Sequence, residues 1–145
     1  MKKLRLYLSH TISIRKEVLE WEKEIESKYN IDLINPFYDL GEIKRMKFID
    51  EGGSPYEGIT KSEAEKIVNT DLEAIRESDG VVAYFKCASI GVSMEVMYAK
   101  QFDKPVYIYM EDKHYTKHPW LVYFSDNIYT TIEGLNRKLG SLVET

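Results

Sequence analysis

Residues 78–99 read Ser78-Asp79-Gly80-Val81-Val82-Ala83-Tyr84-Phe85-Lys86-Cys87-Ala88-Ser89-Ile90-Gly91-Val92-Ser93-Met94-Glu95-Val96-Met97-Tyr98-Ala99. Ser78, Asp79 and Gly80 form a turn, and the apolar run Val81 to Phe85 that follows has the form of a strand covered on both faces. After the small-residue loop Cys87-Ala88-Ser89 a helix is predicted, with the Ser89 hydroxyl capping its first turn. Gly91 and Val92 lie four and three positions before Glu95, and Tyr98 and Ala99 three and four after it. Glu95 therefore belongs to the helix face that packs on the sheet. One reading makes it a carboxylate at the edge of that stripe, solvated or bonded to a tyrosine. The other makes it a catalytic acid at the carboxyl end of a parallel strand, where open α/β sheets place their ligands. Spacing alone leaves both open.

Working outward, Leu4 to Leu8 forms a first strand, and Tyr7 ends it near the edge where Ser89 is expected. A hydroxyl-rich turn, Ser9-His10-Thr11-Ile12-Ser13, precedes a helix whose apolar side is Ile14, Val18, Leu19, Trp21 and Ile25. The turn lacks the Gly-x-Gly-x-x-Gly spacing of a dinucleotide fold, and the sequence contains no Gly-Lys-Ser/Thr phosphate loop. A helix amino terminus still offers free N–H donors and a positive dipole end. Ser9, Thr11, Ser13 and Arg15 are thus candidates to hold a phosphate, against a reading as ordinary capping hydroxyls.

Ile31 to Asn35 is the second strand. The connection from Pro36 to about Lys61 carries Phe37, Tyr38, the basic patch Lys44-Arg45-Met46-Lys47, Gly52-Gly53 and Pro55, and is expected to be structureless, as a functional lid or a disordered segment. Ser62-x-x-Glu65 and Thr70-x-x-Glu73 both have capping-box form. Either two short helices meet near Asn69, with Asp71 in a first turn, or one helix runs to Glu77 with Asp71 between Ile67 and Ile75. The bland reading of Asp71 is a carboxylate favoured by a helix dipole.

Lys104-Pro105 opens a fourth strand, Val106 to Met110, and Glu111 to Pro119 reads as a polar loop. His114 and His118 are four apart beside Glu111 and Asp112, but spacing fixes no third ligand, so no metal site is assigned. Trp120 to Phe124 is an unbroken apolar run, either core or an interface patch. A last strand over Asn127 to Ile132 and a closing helix over Thr131 to Leu142 complete the chain. The order β-α-β-loop-α-β-α-β-β-α predicts a single-domain α/β protein: a doubly wound (flavodoxin/Rossmann-like) parallel sheet of about five strands with helices on both faces.

The 145 residues suit one domain over 1–145, with 43% hydrophobic and 30% charged residues. A net charge of −4 argues against binding a nucleic acid polymer through its phosphates. No signal-peptide core or membrane span is read, and one cysteine, Cys87, leaves no internal disulfide; a cytoplasmic protein is expected. Cys87 as a nucleophile has no neighbouring histidine in sequence to activate it.

The blocks S-D-G-V-V-A-Y-F and S-I-G-V-S-M-E-V-M-Y-A, with Tyr7 on the first strand, Asp71 in T-D-L-E-A-I and S-D-N at Ser125 to Asn127, resemble the nucleoside 2-deoxyribosyltransferase superfamily. More narrowly they resemble its branch that hydrolyses nucleoside 5'-monophosphates. The Ser89-to-Glu95 heptad is the most specific element of that resemblance; the others are scattered short motifs. The resemblance implies Glu95 as nucleophile, Tyr7 as its orienting hydroxyl, and Asp71 as the acid that meets the sugar or base and delivers a proton to the leaving base. It also implies a small-molecule nucleotide or nucleoside as substrate and no cofactor.

The transferases acting on free nucleosides carry an aspartate six residues before the nucleophile, where this sequence has Ser89. A hydroxyl at a helix cap accommodates a 5'-phosphate that a second carboxylate would repel. The hydrolase branch has a glycine and an arginine in the first turn, whereas this stretch reads S-H-T-I-S-I-R with the arginine displaced to Arg15. Phe37 and Tyr38 stand just past the second strand, placed either to stack on a base or to pack. Gly91 joins the substrate-binding set through the family motif. The family also implies a homodimer or larger oligomer in which His118, Trp120 or Ser125 completes a neighbour's site. Base exchange by a 2-deoxyribosyltransferase is one alternative activity. A Toll/interleukin-receptor-type NAD glycohydrolase, suggested by Y-L-S-H and a helical glutamate after a small-residue loop, is another. A nucleotide-binding module without catalysis is the third.

Overall fold

A computed structural model describes residues 2–86 and 88–144. Five strands, β1 (Leu4–Ser9), β2 (Ile31–Ile34), β3 (Gly80–Phe85), β4 (Val106–Met110) and β5 (Asn127–Tyr129), form one all-parallel sheet in the order β2-β1-β3-β4-β5. The helices are α1 (Arg15–Lys28), α2 (Pro36–Asp39), α3 (Ile43–Asp50), α4 (Lys61–Glu77), α5 (Ile90–Gln101), α6 (Pro119–Phe124) and α7 (Ile132–Val143). The protein is thus the doubly wound α/β domain that the element order predicts.

Alternation along the strands divides the core. Leu6, Leu8, Val82 and Tyr84 face α1 and α7, where they meet Val18, Trp21, Ile25, Leu135 and Leu139. Tyr7, Val81, Ala83 and Phe85 face the other way, onto Ile75 of α4 and Val92, Val96 and Ala99 of α5. Gly80 opens β3 because a Cβ there would lie 2.9 Å from the Pro105 ring and 3.0 Å from its carbonyl oxygen. Chain direction across the sheet reverses between β1 and β3, which is the switch point where such sheets leave a crevice.

Several local expectations change. The connection from Pro36 is not irregular throughout: it contains α2 and α3. Asn35 is not strand but the cap of α2, its side chain accepting from the Phe37 N–H at 3.2 Å, with Pro36 at the first helical position. Thr60, rather than Ser62 or Thr70, caps α4 by accepting from the Glu63 N–H at 3.1 Å. One continuous helix follows, so Asp71 lies between Ile67 and Ile75. The run Trp120 to Phe124 is helix α6, which supplies the crossover that two adjacent parallel strands require. β5 stops at Tyr129, and Thr131 caps α7 by accepting from the Gly134 N–H at 3.1 Å. On α1, Leu19 is only half-buried, and the buried positions include the polar residues Arg15 and Glu22. No helix among the described residues is long and apolar enough to cross a membrane.

Candidate active site

The first turn of α5 is built as its sequence suggests. Ser89 Oγ accepts from the Val92 N–H at 3.3 Å, and Ser93 Oγ donates back to the Ser89 carbonyl at 2.7 Å. Val92, Val96 and Ala99 then seat the helix on the sheet, which turns the intervening Glu95 toward β1. Its carboxylate accepts from the Tyr7 hydroxyl on one oxygen and from Ser9 Oγ, at 2.7 Å, on the other. Tyr7 and Ser9 are both fully buried and two residues apart, so the strand's alternation brings both to the α5 face. In the sheet they stand opposite Val81 and Ala83 of β3, at the switch point.

Burial raises the Glu95 pKa, and the two hydrogen bonds oppose that rise by favouring the carboxylate. The Tyr7 phenol is pushed well above its usual 10, first by burial and then by the charges of Glu95 and Asp71. It therefore stays protonated and serves as a donor. Ser9, one of the hydroxyls expected to hold a phosphate, thus donates to the Glu95 carboxylate.

Asp71 is half-buried on α4. Burial, followed by repulsion from Glu95 and Glu42, lifts its pKa from 3.8 to about 8, with Arg45 pulling the other way. Its environment thus favours the protonated form at neutral pH, while the two hydrogen bonds on Glu95 favour the carboxylate there. Asp71 lines a cavity of about 390 Å³ between α3 and α4, shared with Leu40, Glu42, Arg45, Phe48 and Ile67.

Glu42 is the site residue that sequence reasoning missed. It is 8% exposed, and its carboxylate takes a hydrogen bond from Arg45 Nη1 at 2.6 Å. Gly41, immediately before it, takes φ +90°, a conformation that glycine adopts without strain. The only signal in sequence is an acid three residues before an arginine, a spacing common on solvated helix faces. A second buried polar chain also escaped notice. His10 Nε2 donates to Asn35 Oδ1 at 3.1 Å, and Asn35 Nδ2 donates to Glu22 Oε1 at 2.9 Å. Burial lowers the His10 pKa to about 4 and raises that of Glu22 to about 7.

The remaining candidates divide. Thr11 and Ser13 share a hydroxyl hydrogen bond of 2.9 Å at the entrance to α1, and neither caps the helix with its side chain. Arg15 is no free cation: its guanidinium donates to the Ile12 carbonyl at 2.9 Å and pairs with Asp50 of α3. Arg15, expected to hold a phosphate, thus ties the start of α1 to α3. Phe37 is half-buried with its ring edge-on to His10 at 4.9 Å, and Tyr38 is also half-buried. Gly91 is exposed, with open space where a side chain would stand.

His118 caps α6, its Nδ1 accepting from the Trp120 N–H at 3.3 Å, and Ser125 ends that helix. Trp120 and Tyr123 are 63% and 71% exposed. A largely apolar cavity of about 420 Å³ runs between α5 and α6, lined by Met94, Met97, Tyr115, His118, Trp120 and Phe124. It shares no residue with the Asp71 cavity. Among the described residues, no three of His, Cys, Asp and Glu come together as a metal set. Cys87 lies outside the described residues.

Known proteins share this fold. The chain superposes with a TM-score of 0.54 on a 2-deoxyribosyltransferase from Bacillus psychrosaccharolyticus, at 14% identity over 75% of this chain and 74% of that one. On the Clostridium botulinum CMP N-glycosidase it superposes with a TM-score of 0.52, at 18% identity over 93% of this chain and 97% of that one. No curated protein sequence matches it significantly. The family model described as nucleoside 2-deoxyribosyltransferase matches residues 7–141, from the Tyr7 that clamps Glu95 to within a few residues of the carboxyl end. The chain therefore belongs to the nucleoside 2-deoxyribosyltransferase family and is an enzyme of N-glycosyl transfer or cleavage.

Proposed function

We propose that the enzyme hydrolyses the N-glycosidic bond of a nucleoside or deoxynucleoside 5'-monophosphate, with Glu95 as nucleophile and Asp71 as proton donor. The observation that carries this reading is a carboxylate held by two buried hydroxyls at the sheet's switch point, and it is supported by a second acid, Asp71, whose burial favours its protonated form. Glu95 attacks the anomeric carbon while the bond to the base breaks, and the base leaves with the Asp71 proton. Asp71, now a carboxylate, takes a proton from water. The resulting hydroxide displaces Glu95 from the sugar and restores both residues. Tyr7 and Ser9 hold the carboxylate so that little reorganisation is needed as charge develops.

Ser89 favours the monophosphate over the free nucleoside, because its position carries no second negative charge. Thr11 and Ser13 add hydroxyls at the entrance to α1, and the open space at Gly91 leaves room for the sugar phosphate. The structural neighbour that cleaves CMP supports a monophosphate as substrate. The active unit is a dimer or larger assembly formed through the exposed aromatic face of α6, so that His118 or Ser125 reaches a partner's site. Light scattering is expected to give at least a dimer at micromolar concentration; a monomer rejects the shared site.

The decisive assay incubates the protein with a panel of nucleosides and 5'-monophosphates and follows free base by chromatography. Release from a monophosphate, abolished in a folded Glu95→Gln variant, is expected. Unchanged release in that variant removes Glu95 from the chemistry. Capture of the sugar by an added second base identifies the enzyme as a transferase instead.

A further inference from the structure

Ser9 closes β1 with no exposed surface, opposite Ala83 of β3. Nothing in the strand calls for a hydroxyl there: it costs desolvation unless paired, and it offers the core less apolar surface than valine or isoleucine would. Among the described residues its one side-chain hydrogen bond is the one it donates to Glu95 Oε1, at 2.7 Å. Tyr7, also fully buried, already fixes the carboxylate through Oε2. What Ser9 adds is a second donor to the negative charge.

That charge disappears and returns over the proposed reaction. In the first step an electron pair of Glu95 forms the bond to the anomeric carbon as the bond to the base breaks, and the carboxylate becomes a neutral ester. In the second step the bond between that carbon and Glu95 breaks and its electron pair returns to the carboxylate. The water oxygen takes the carbon, and the water's proton goes to Asp71. A hydrogen bond to an ionised acceptor is roughly twice as strong as one to a neutral group. A donor on Glu95 therefore lowers the energy of the free carboxylate more than that of the glycosyl-enzyme. With one hydroxyl on each oxygen, attack through either one leaves a donor on the other. We propose that Ser9 is a positioning residue for the second step, holding Glu95 as a good leaving group so that the glycosyl-enzyme is short-lived. The proposal rests on Glu95 as nucleophile, the reading given above, and assigns Ser9 no contact with substrate. The titratable groups coupled to Glu95 are Tyr7 on β1, Asp71 on α4 and Glu42 ahead of α3. Ser9 brings no charge of its own, so replacing it changes the donors alone.

The test compares wild type with Ser9→Ala, which removes one oxygen atom and adds no volume. Base released in the first turnover is followed by rapid quench, and the sugar-bearing protein by intact mass. In Ser9→Ala the first turnover is expected to be no slower than in wild type, while decay of the glycosyl-enzyme slows about tenfold or more. In the substrate-free protein, the Glu95 midpoint in a carboxyl-detected NMR titration is expected to rise by about one pH unit or more. A first turnover slowed as much as the decay marks a merely structural loss and overturns the proposal. An unmoved Glu95 midpoint overturns it too, as does loss of the fold, since the hydroxyl would then serve the core. Failure of the functional reading looks different: wild-type protein releases no base from any nucleoside or monophosphate. The Glu95 midpoint alone then decides whether Ser9 holds the carboxylate's charge, a rise supporting it and no change rejecting it.

Discussion

Asparagine at position 71 should protect the protein against alkali. The folded protein holds the Asp71 proton up to about pH 8, whereas an ordinary aspartic acid gives it up near 3.8. A raised acid contributes stability that is fully present below the unfolded pKa and is lost as pH rises through the folded one. The window here runs from about pH 4 to about pH 8. At about 1.4 kcal/mol per pH unit, the ceiling on the loss is roughly 6 kcal/mol. Asp71 is only half-buried, and solvent screening brings the figure down to roughly 2 kcal/mol between pH 5 and pH 9.

Glu22, Glu26 and Glu95 also have raised pKa values, so the wild-type protein loses stability over this range for several reasons. The difference between wild type and Asp71→Asn isolates Asp71 together with its coupling to Glu95 and Glu42. Urea unfolding followed by circular dichroism at pH 5 and pH 9 measures it. The two proteins should be close at pH 5, and the variant should lose about 2 kcal/mol less on going to pH 9. Equal losses in both would refute the claim that Asp71 carries a proton in the folded state.

Tyr7→Phe removes a donor worth about 1.5–3 kcal/mol to an ionised acceptor. The acid limb of kcat/KM should move up by about one to two pH units, with activity partly recovered at high pH, and an unmoved limb rejects the clamp. Trp120→Asp places a charge on the exposed face of α6 and should convert the assembly to monomers in sedimentation, with base release falling alongside; an intact oligomer shows that the contact lies elsewhere.

The sheet was legible because a buried parallel strand announces itself through a continuous apolar run, and β3 and β4 both carry one. The cap at Ser89 and the inward placement of Glu95 followed from helical periodicity, which local sequence contains in full. What sequence did not reveal arose from distant contacts. Ser9 reads as a phosphate-turn hydroxyl until the β1–β3 register sets it against α5. Arg15 reads as a free cation until α3 brings Asp50 to it. Helix α3 itself begins without a capping side chain, so the connection that holds Glu42 looked irregular. Buried acids such as Glu22 and Glu42 are indistinguishable by composition from those on solvated faces.

The clamp on Glu95 joins the ninth residue of the chain to the ninety-fifth. Its acid comes from one crossover and both its donors from a strand made long before, so no contiguous fragment short of that span can assemble it. With Glu95 in its proposed role, reactivity is linked to closure of the seam between β1 and β3. A chain that has zipped those two strands out of register, or not at all, retains every functional residue and has no centre.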